Sequence, residues 1–301
     1  MKKIIIRTLL FFVIVGFADF ILGSCFIYFR KQAGCGSFQN MEYCINHCHD
    51  DVLVFGSSRA VYHYDPRVIK DSLGLSCHNC GREGMGIIYA YGLWNLISAN
   101  HTPKMILYDF YRFDIQKDDN AKYLAELRPY YDAKGMSEYF HDISPIENIK
   151  NFSHLYRFNS SIIQLIRGLF VKNEVSDGFI PLQGELVSNI VNTNEMEKDS
   201  IKYYYMEEFI KHALSKGTKL IFFISPFYDG KYMEYPPEYI ALFKKYNIKW
   251  FDNQTIEEFT KNDDYFKNLS HLNKKGASAY TSYIISQIKD SSTVDTISVR
   301  Y

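Results

Sequence analysis

From Thr8 to Phe29 almost every position is apolar; Met1-Lys2-Lys3 and Arg7 precede the run and Arg30-Lys31 close it. Twenty-two residues at roughly 1.5 Å each cover about 33 Å, enough for the roughly 30 Å hydrocarbon core of a bilayer. Asp19 interrupts the run, at a cost of about 3 kcal/mol, but its Leu, Ile, Val and Phe residues return about 6 kcal/mol together. Insertion is therefore expected, with residues 1–31 as a transmembrane anchor or signal-anchor. The basic residues ahead of the run favour a cytoplasmic amino terminus, which puts the rest of the chain on the extracytoplasmic, periplasmic side as a single-pass protein. Other readings of the segment stand beside this one. Leu22-Gly23-Ser24-Cys25 is similar to a bacterial lipobox, which would leave Cys25 as a lipidated amino terminus. A cleaved secretory signal or a buried helix of a cytoplasmic protein would also account for an apolar run near the start.

Beyond a polar linker at 32–50 the pattern changes to short apolar runs alternating with helical stretches. Val52 to Phe55, bounded by Asp51 and Gly56, reads as a buried strand, and Gly56-Ser57-Ser58 turns the chain toward a helix-competent segment. Asp65-Pro66 gives a cap and a first-turn proline for a helix to about Leu73. A short strand ends at Cys77 to Asn79, a helix runs from about Ile87 to Ala99, and a strand follows from Lys104 to Tyr108. Three βα units in a row predict a doubly wound α/β fold with a mainly parallel, five-stranded sheet.

Residues 110–195 break this rhythm, with helical stretches near Lys122 to Tyr131 and Ser160 to Phe170 and a turn at Asp177 to Pro181. They read as a largely helical insertion over the carboxyl edge of the sheet, where substrate contacts belong, or as a scaffold near the membrane. The alternation resumes with a helix from Glu197 to Lys216, a strand from Leu220 to Ile224, a helix from Pro237 to Tyr246 and a strand from Lys249 to Asp252. The Asn268 to Asn273 loop and a helix from Lys274 to Ile288 end the α/β domain, predicted to span 51–289, and residues 290–301 read as a polar tail.

Composition alters this picture little. Lys and Arg, 34 together, balance 34 Asp and Glu, so no net field draws the chain to nucleic acid. Six cysteines fit no disulfide-scaffold spacing, and Cys44, His47, Cys48 and His49 with Cys77, His78 and Cys80 complete no zinc finger or ribbon. No metal or other cofactor is called for. In the oxidising compartment that the anchor implies, a disulfide within the 35–48 segment, or from it to Cys77 or Cys80, is expected.

The chemistry lies at the strand end. Ser58 stands at the carboxyl end of the first strand, where open α/β sheets place ligands, and a serine hydroxyl needs a base. His271, just ahead of the last helix, is the candidate. In this order the residues resemble the SGNH or GDSL-like esterases and acyltransferases, in particular the membrane-anchored branch that acts on cell-envelope polysaccharides, over about 51–289. Gly56-Ser57-Ser58 resembles the first block and makes Ser58 the matched nucleophile. Asn79 to Gly84 resembles the second, which implies an oxyanion-hole N–H from Gly84 beside that of Ser58, with Asn79 and Arg59 near the substrate. Asn268-Leu269-Ser270-His271 resembles the last block, continued by Leu272-Asn273 and Gly276. Two departures bear on activity. Asp109 to Arg112 replaces the third block, leaving Arg112 as the stand-in oxyanion donor. Asn268 replaces the triad acid, and Asp263 or Asp264 are the carboxylates close enough in sequence to substitute.

Each residue also has a plainer reading. Ser58 could cap the following helix, His271 could be a cap or core histidine, and Arg59 could make a structural ion pair. The resemblance implies ester hydrolysis or acyl transfer by a Ser58–His271 dyad on an acylated carbohydrate, with envelope polysaccharide biosynthesis proteins as partners. The alternative is a catalytically silent relative that binds glycan or holds a biosynthetic complex at the membrane.

Overall fold

A computed structural model of the 301-residue chain describes residues 1–32, 36–159, 161–171, 177–187, 197–230 and 234–298. The apolar amino terminus forms one unbroken helix, α1 (Lys2–Gln32), long and apolar enough to cross a membrane. The segment read as a linker instead contains α2 (Gly36–Asn46). Phe38, Met41, Cys44 and Ile45 are buried along it, a three-and-four spacing that its mean polarity concealed.

β1 (Val52–Gly56), α3 (Ser58–His63), α4 (Pro66–Leu73), β2 (Cys77–Asn79), α5 (Ile87–Ile97) and β3 (Met105–Asp109) follow as two βα steps and a third strand. α4 starts where its signals place it. Asp65 accepts from the Arg67 N–H, Pro66 occupies the first turn, and Gly74 closes the helix in the left-handed region. The chain then leaves the sheet through α6 (Met136–Ile143), α7 (Pro145–Lys150) and α8 (Ile162–Phe170). Between β3 and α6 the predicted helix at 122–131 is only a pair of 3-10 turns, Asn120–Leu124 and Arg128–Tyr130. The return runs through α9 (Ser200–Ser215), β4 (Lys219–Ile224), α10 (Pro237–Lys245), β5 (Lys249–Asp252) and α11 (Glu257–Thr260). The loop expected at 268–273 is a small hairpin, β6 (Phe266–Asn268) and β7 (His271–Leu272). The last helix, α12 (Lys274–Ser298), continues ten residues beyond Ile288 into the predicted tail.

The five long strands are parallel, in the order β2-β1-β3-β4-β5. The strand order reverses between β1 and β3, the position where doubly wound sheets open a crevice at their carboxyl edge. Both faces are covered, so the strands are apolar throughout. On one face Phe55, Tyr108 and Phe222 meet Trp94, Phe209 and Phe243. On the other, Val52, Val54, Leu107, Ile221 and Phe223 pack with Tyr280, Ile284, Ile285 and Ile288 of α12.

The chain divides into two compact units, Met1–His47 with Asp118–Ser176, and Cys48–Lys117 with Asp177–Tyr301. The boundary cuts through the expected insertion. Among the described residues, 110–117 and 177–187 stay with the sheet, whereas 118–159 and 161–171 join the amino-terminal helices. In the second unit the two roots of the excursion are tied by a bridge between Gln116 and Lys198. In the first, Phe38, Phe158 and Leu165 form a core flanked by Phe26, Ile27, Phe29 and Ile162. Arg30 is buried there, donating to the Pro129 carbonyl at 3.1 Å and lying over the Tyr130 ring. The expected disulfide is not formed among the described residues. Cys44, Cys48, Cys77 and Cys80 are buried thiols, and burial pushes that of Cys77 well up. Cys35 lies outside the described residues.

Candidate active site

β1 ends against its neighbour too closely for any side chain. Gly56 has φ +136°, and a Cβ there would sit 2.7 Å from the Asp109 carbonyl of β3. That approach brings the chain out of the sheet and straight into α3. Ser57 is the N-cap, its carbonyl accepting from Val61 N–H at 3.2 Å, and its own hydroxyl makes no capping bond. Ser58 is therefore the first helical residue and is not the cap, so its Oγ is not spent on α3.

The Ser58 Oγ lies 2.8 Å from His271 Nε2, although 213 residues separate them. Asn268 completes the arrangement, its Oδ1 lying 3.1 Å from His271 Nδ1. The same Oδ1 accepts the backbone N–H groups of Ser270 and His271, each at 3.0 Å. Two N–H donors identify that atom as the oxygen, and the Ser270 hydroxyl also donates to it at 3.2 Å while lying 3.3 Å from Nδ1; we assign the ring proton to Nδ1, the tautomer that gives the 3.1 Å contact with Oδ1 a donor. Nε2 is then left with a lone pair, and the Ser58 hydroxyl donates to it. This is the polarity of a Ser-His-Asp triad without the charge.

The imidazole is held on several sides. The Tyr62 ring meets it edge-on, with centroids 5.3 Å apart, and β7 is fixed to α3 because Leu272 N–H donates to His63 Nε2 at 3.0 Å. Burial, reinforced by the positive charge of Arg59, pushes the His271 pKa down to about 4, so the ring is neutral near pH 7. Burial likewise holds His63 well below the ordinary range.

Of the other residues singled out from the sequence, Arg59 and Asn79 are turned inward, Arg112 is half-buried and Gly84 is exposed. Arg59 has no exposure: its Nε lies 3.8 Å from Asp109 Oδ1, it donates to the carbonyls of Ser225 and Pro226, and it lies over the Phe227 ring at 4.1 Å. The structural ion pair, and not substrate contact, is its reading here. Asp109 is also bonded by the hydroxyls of Tyr64 and Ser225, and burial raises its pKa. Asn79 is equally enclosed. Its amide donates to the carbonyls of Ala60 at 2.7 Å and Tyr64 at 3.1 Å and accepts from Gly81 N–H, which ties α3 to the glycine loop. Arg112 gives Nε and Nη2 to Gln116 Oε1, at 3.1 and 2.8 Å. Gly84 is exposed in a left-handed turn, φ +71°, whereas Gly81 is the glycine that meets α3. A Cβ on Gly81 would lie 2.8 Å from that of Ala60 and 3.0 Å from Val61 N. Asp263 accepts from Tyr228 and Asp264 pairs with Lys275, so neither serves His271.

Sequence reasoning offered an ion pair for Arg59 but missed its partner Asp109, the Ser225 and Tyr64 hydroxyls on that carboxylate, and the supports at Tyr62 and His63. The one available signal was charge inside apolar surroundings, at Arg59 and Asp109, each beside a strand end. Downstream, Asn273 Oδ1 accepts from Gly276 N–H and so caps the start of α12. A cleft of about 840 Å³ opens there, lined by Leu182 to Leu186, Asp263, Asp264, Asn273 to Lys275 and Ser278. It adjoins the hairpin, but Ser58, His271 and Asn268 do not line it. Comparison of the chain with protein-family models and with curated proteins gives no match in either.

Proposed function

We propose that the chain is a serine-dependent O-acyl esterase or O-acyltransferase acting on an extracytoplasmic cell-envelope glycan. The observation that carries this reading is the 2.8 Å hydrogen bond from Ser58 to a neutral His271 whose tautomer Asn268 selects. His271 Nε2 takes the hydroxyl proton as Ser58 Oγ attacks the ester carbonyl. The protonated ring then gives that proton to the leaving alcohol oxygen, and Ser58 is left acylated. Water or a sugar hydroxyl attacks the acyl-serine as its proton passes to Nε2, and collapse of the intermediate expels Ser58 Oγ, which takes that proton back from Nε2. Backbone N–H groups at the start of α3, that of Ser58 among them, stabilise the oxyanion. The glycan and the SGNH-like kinship rest on the resemblance of the three sequence blocks. The outward orientation rests on Lys2, Lys3 and Arg7 ahead of the apolar run of α1.

The test is labelling of the full-length protein in membranes by a fluorophosphonate probe. Labelling is expected in the native chain and absent from Ser58→Ala and His271→Ala, after which release of acetate from acetylated envelope glycans identifies the ester. Asn268 favours a second reading, a silent glycan-binding or scaffolding protein, because no carboxylate among the described residues supports the imidazolium. A folded native chain that binds glycan without labelling would select it.

A further inference from the structure

We infer that the first unit is partly immersed in the bilayer, with the outer faces of α7 and α8 and the loop between them in the acyl region of the leaflet next to the carboxyl end of α1. α8 is apolar on opposite sides. Leu165 packs inward with Phe38 and Phe158, while Ile163 and Phe170 face outward at 84% and 83% exposure. Ile146 and Ile149 of α7 and Phe152 after it are exposed as well. Ile163, Ile166 and Phe170 form an outward apolar stripe beside the exposed Gln164 and Arg167, and such a stripe needs cover.

The cover is identified by α1, on which the same segment is built. Every residue of α1 from Lys2 to Ala18 is exposed, and the first to be covered is Asp19. Its carboxylate accepts from the Ser153 hydroxyl at 2.6 Å and from the N–H groups of His154 and Leu155 at 2.7 and 3.1 Å. One turn on, Gly23 is seated directly against His154. Counted from Thr8, beyond the basic Lys2, Lys3 and Arg7, the bare stretch to Ala18 is 11 residues and measures about 16 Å, well short of the roughly 30 Å that the hydrocarbon occupies. The bilayer must therefore reach past Asp19 and Gly23, the level at which residues 153–155 dock. At that depth a lone carboxylate is costly, and here each bond it needs comes from the docked loop. Phe152 adjoins that loop, and the exposed Arg167 of α8 has the length to reach the headgroups.

The test uses the full-length chain with Cys25→Ser and Cys35→Ser, reconstituted in phosphatidylethanolamine and phosphatidylglycerol nanodiscs. Nitroxides are placed singly at Ile149→Cys, Phe152→Cys, Ile163→Cys and Phe170→Cys, with Leu214→Cys of the second unit as the aqueous reference. All five positions are exposed, so the substitutions leave the packing intact. Relaxation by oxygen is expected to exceed relaxation by a water-soluble nickel chelate at the first four sites, and the reverse at Leu214. Nickel access at the four sites equal to that at Leu214 would place the face in water and overturn the inference. Exclusion of both reagents would mean that a second copy or another protein covers it, and would overturn it equally.

Discussion

The neutrality of His271 has a direct kinetic consequence. A base must be unprotonated to accept the Ser58 proton, and burial holds this ring neutral down to about pH 4, where an ordinary histidine would be half protonated near 6.5. The fluorophosphonate labelling rate is expected to stay level from neutral pH to about pH 5 and to fall through a midpoint near 4. A midpoint near 6.5 would show a solvated ring. Asn268 is the second lever. Its oxygen orients the ring in the tautomer a base needs but carries no charge to balance an imidazolium; in serine proteases an asparagine here costs about 10⁴ in rate largely through the wrong tautomer, which Asn268 avoids. Asn268→Asp keeps an acceptor for the N–H groups of Ser270 and His271 and places a carboxylate against Nδ1. The variant is expected to label faster, by less than the roughly 10⁴-fold that a wrong tautomer costs because only the charge is gained, with its pH midpoint moved upward. An unchanged rate would mean that proton transfer does not limit labelling.

Among the elements, α3 matters out of proportion to its six residues. It begins with the nucleophile, ends with the histidine that holds β7, and is pinned by Asn79 to the glycine loop. The loop can approach only because Gly81 has no side chain. Gly81→Ala is expected to cost about 1–3 kcal/mol in urea unfolding, since the added methyl meets both Ala60 and the backbone of Val61. Gly84→Ala meets open space and carries only its left-handed backbone penalty of about 1–2 kcal/mol. Labelling by the probe should separate the two further. Displacing α3 moves Ser58 from His271, so Gly81→Ala is expected to lose rate where Gly84→Ala keeps it.

In the whole molecule the sequence interval 118–176 belongs with the amino-terminal helices, and Asp19 is one of the residues that join them. Asp19→Leu improves the apolar character of α1 but leaves the N–H groups of His154 and Leu155 without their acceptor, at about 1–3 kcal/mol for each buried donor. The variant is expected to remain in the membrane fraction while residues 145–171 become sensitive to protease. Unchanged protease resistance would show that packing at Gly23 holds the segment alone. Processing at the lipobox-like Cys25 would remove both Asp19 and Gly23, so the same protease assay on the mature chain reports whether α1 is retained.

The chain's local pattern determined the α/β class and most element positions. Buried parallel strands must be apolar on both faces, and signals such as Asp65-Pro66 and Gly74 act within a single turn, so both are visible without neighbours. The Ser58–His271 pairing was legible for a similar reason, since a serine at a strand end and a histidine ahead of the last helix are defined by their own elements. α2 was hidden because its burial occupies only one stripe of a polar segment, and the β6–β7 hairpin because strands of two or three residues carry too little alternation to read. What only the tertiary structure decided is which way polar side chains face. Arg59, Asn79 and Arg112 lie near the strand ends in sequence, but the Asp109 carboxylate, the α3 carbonyls and Gln116 capture them, and those partners come from other elements or other turns. Partner choice depends on distances across the fold, and those are set by packing, not by the order of residues along the chain.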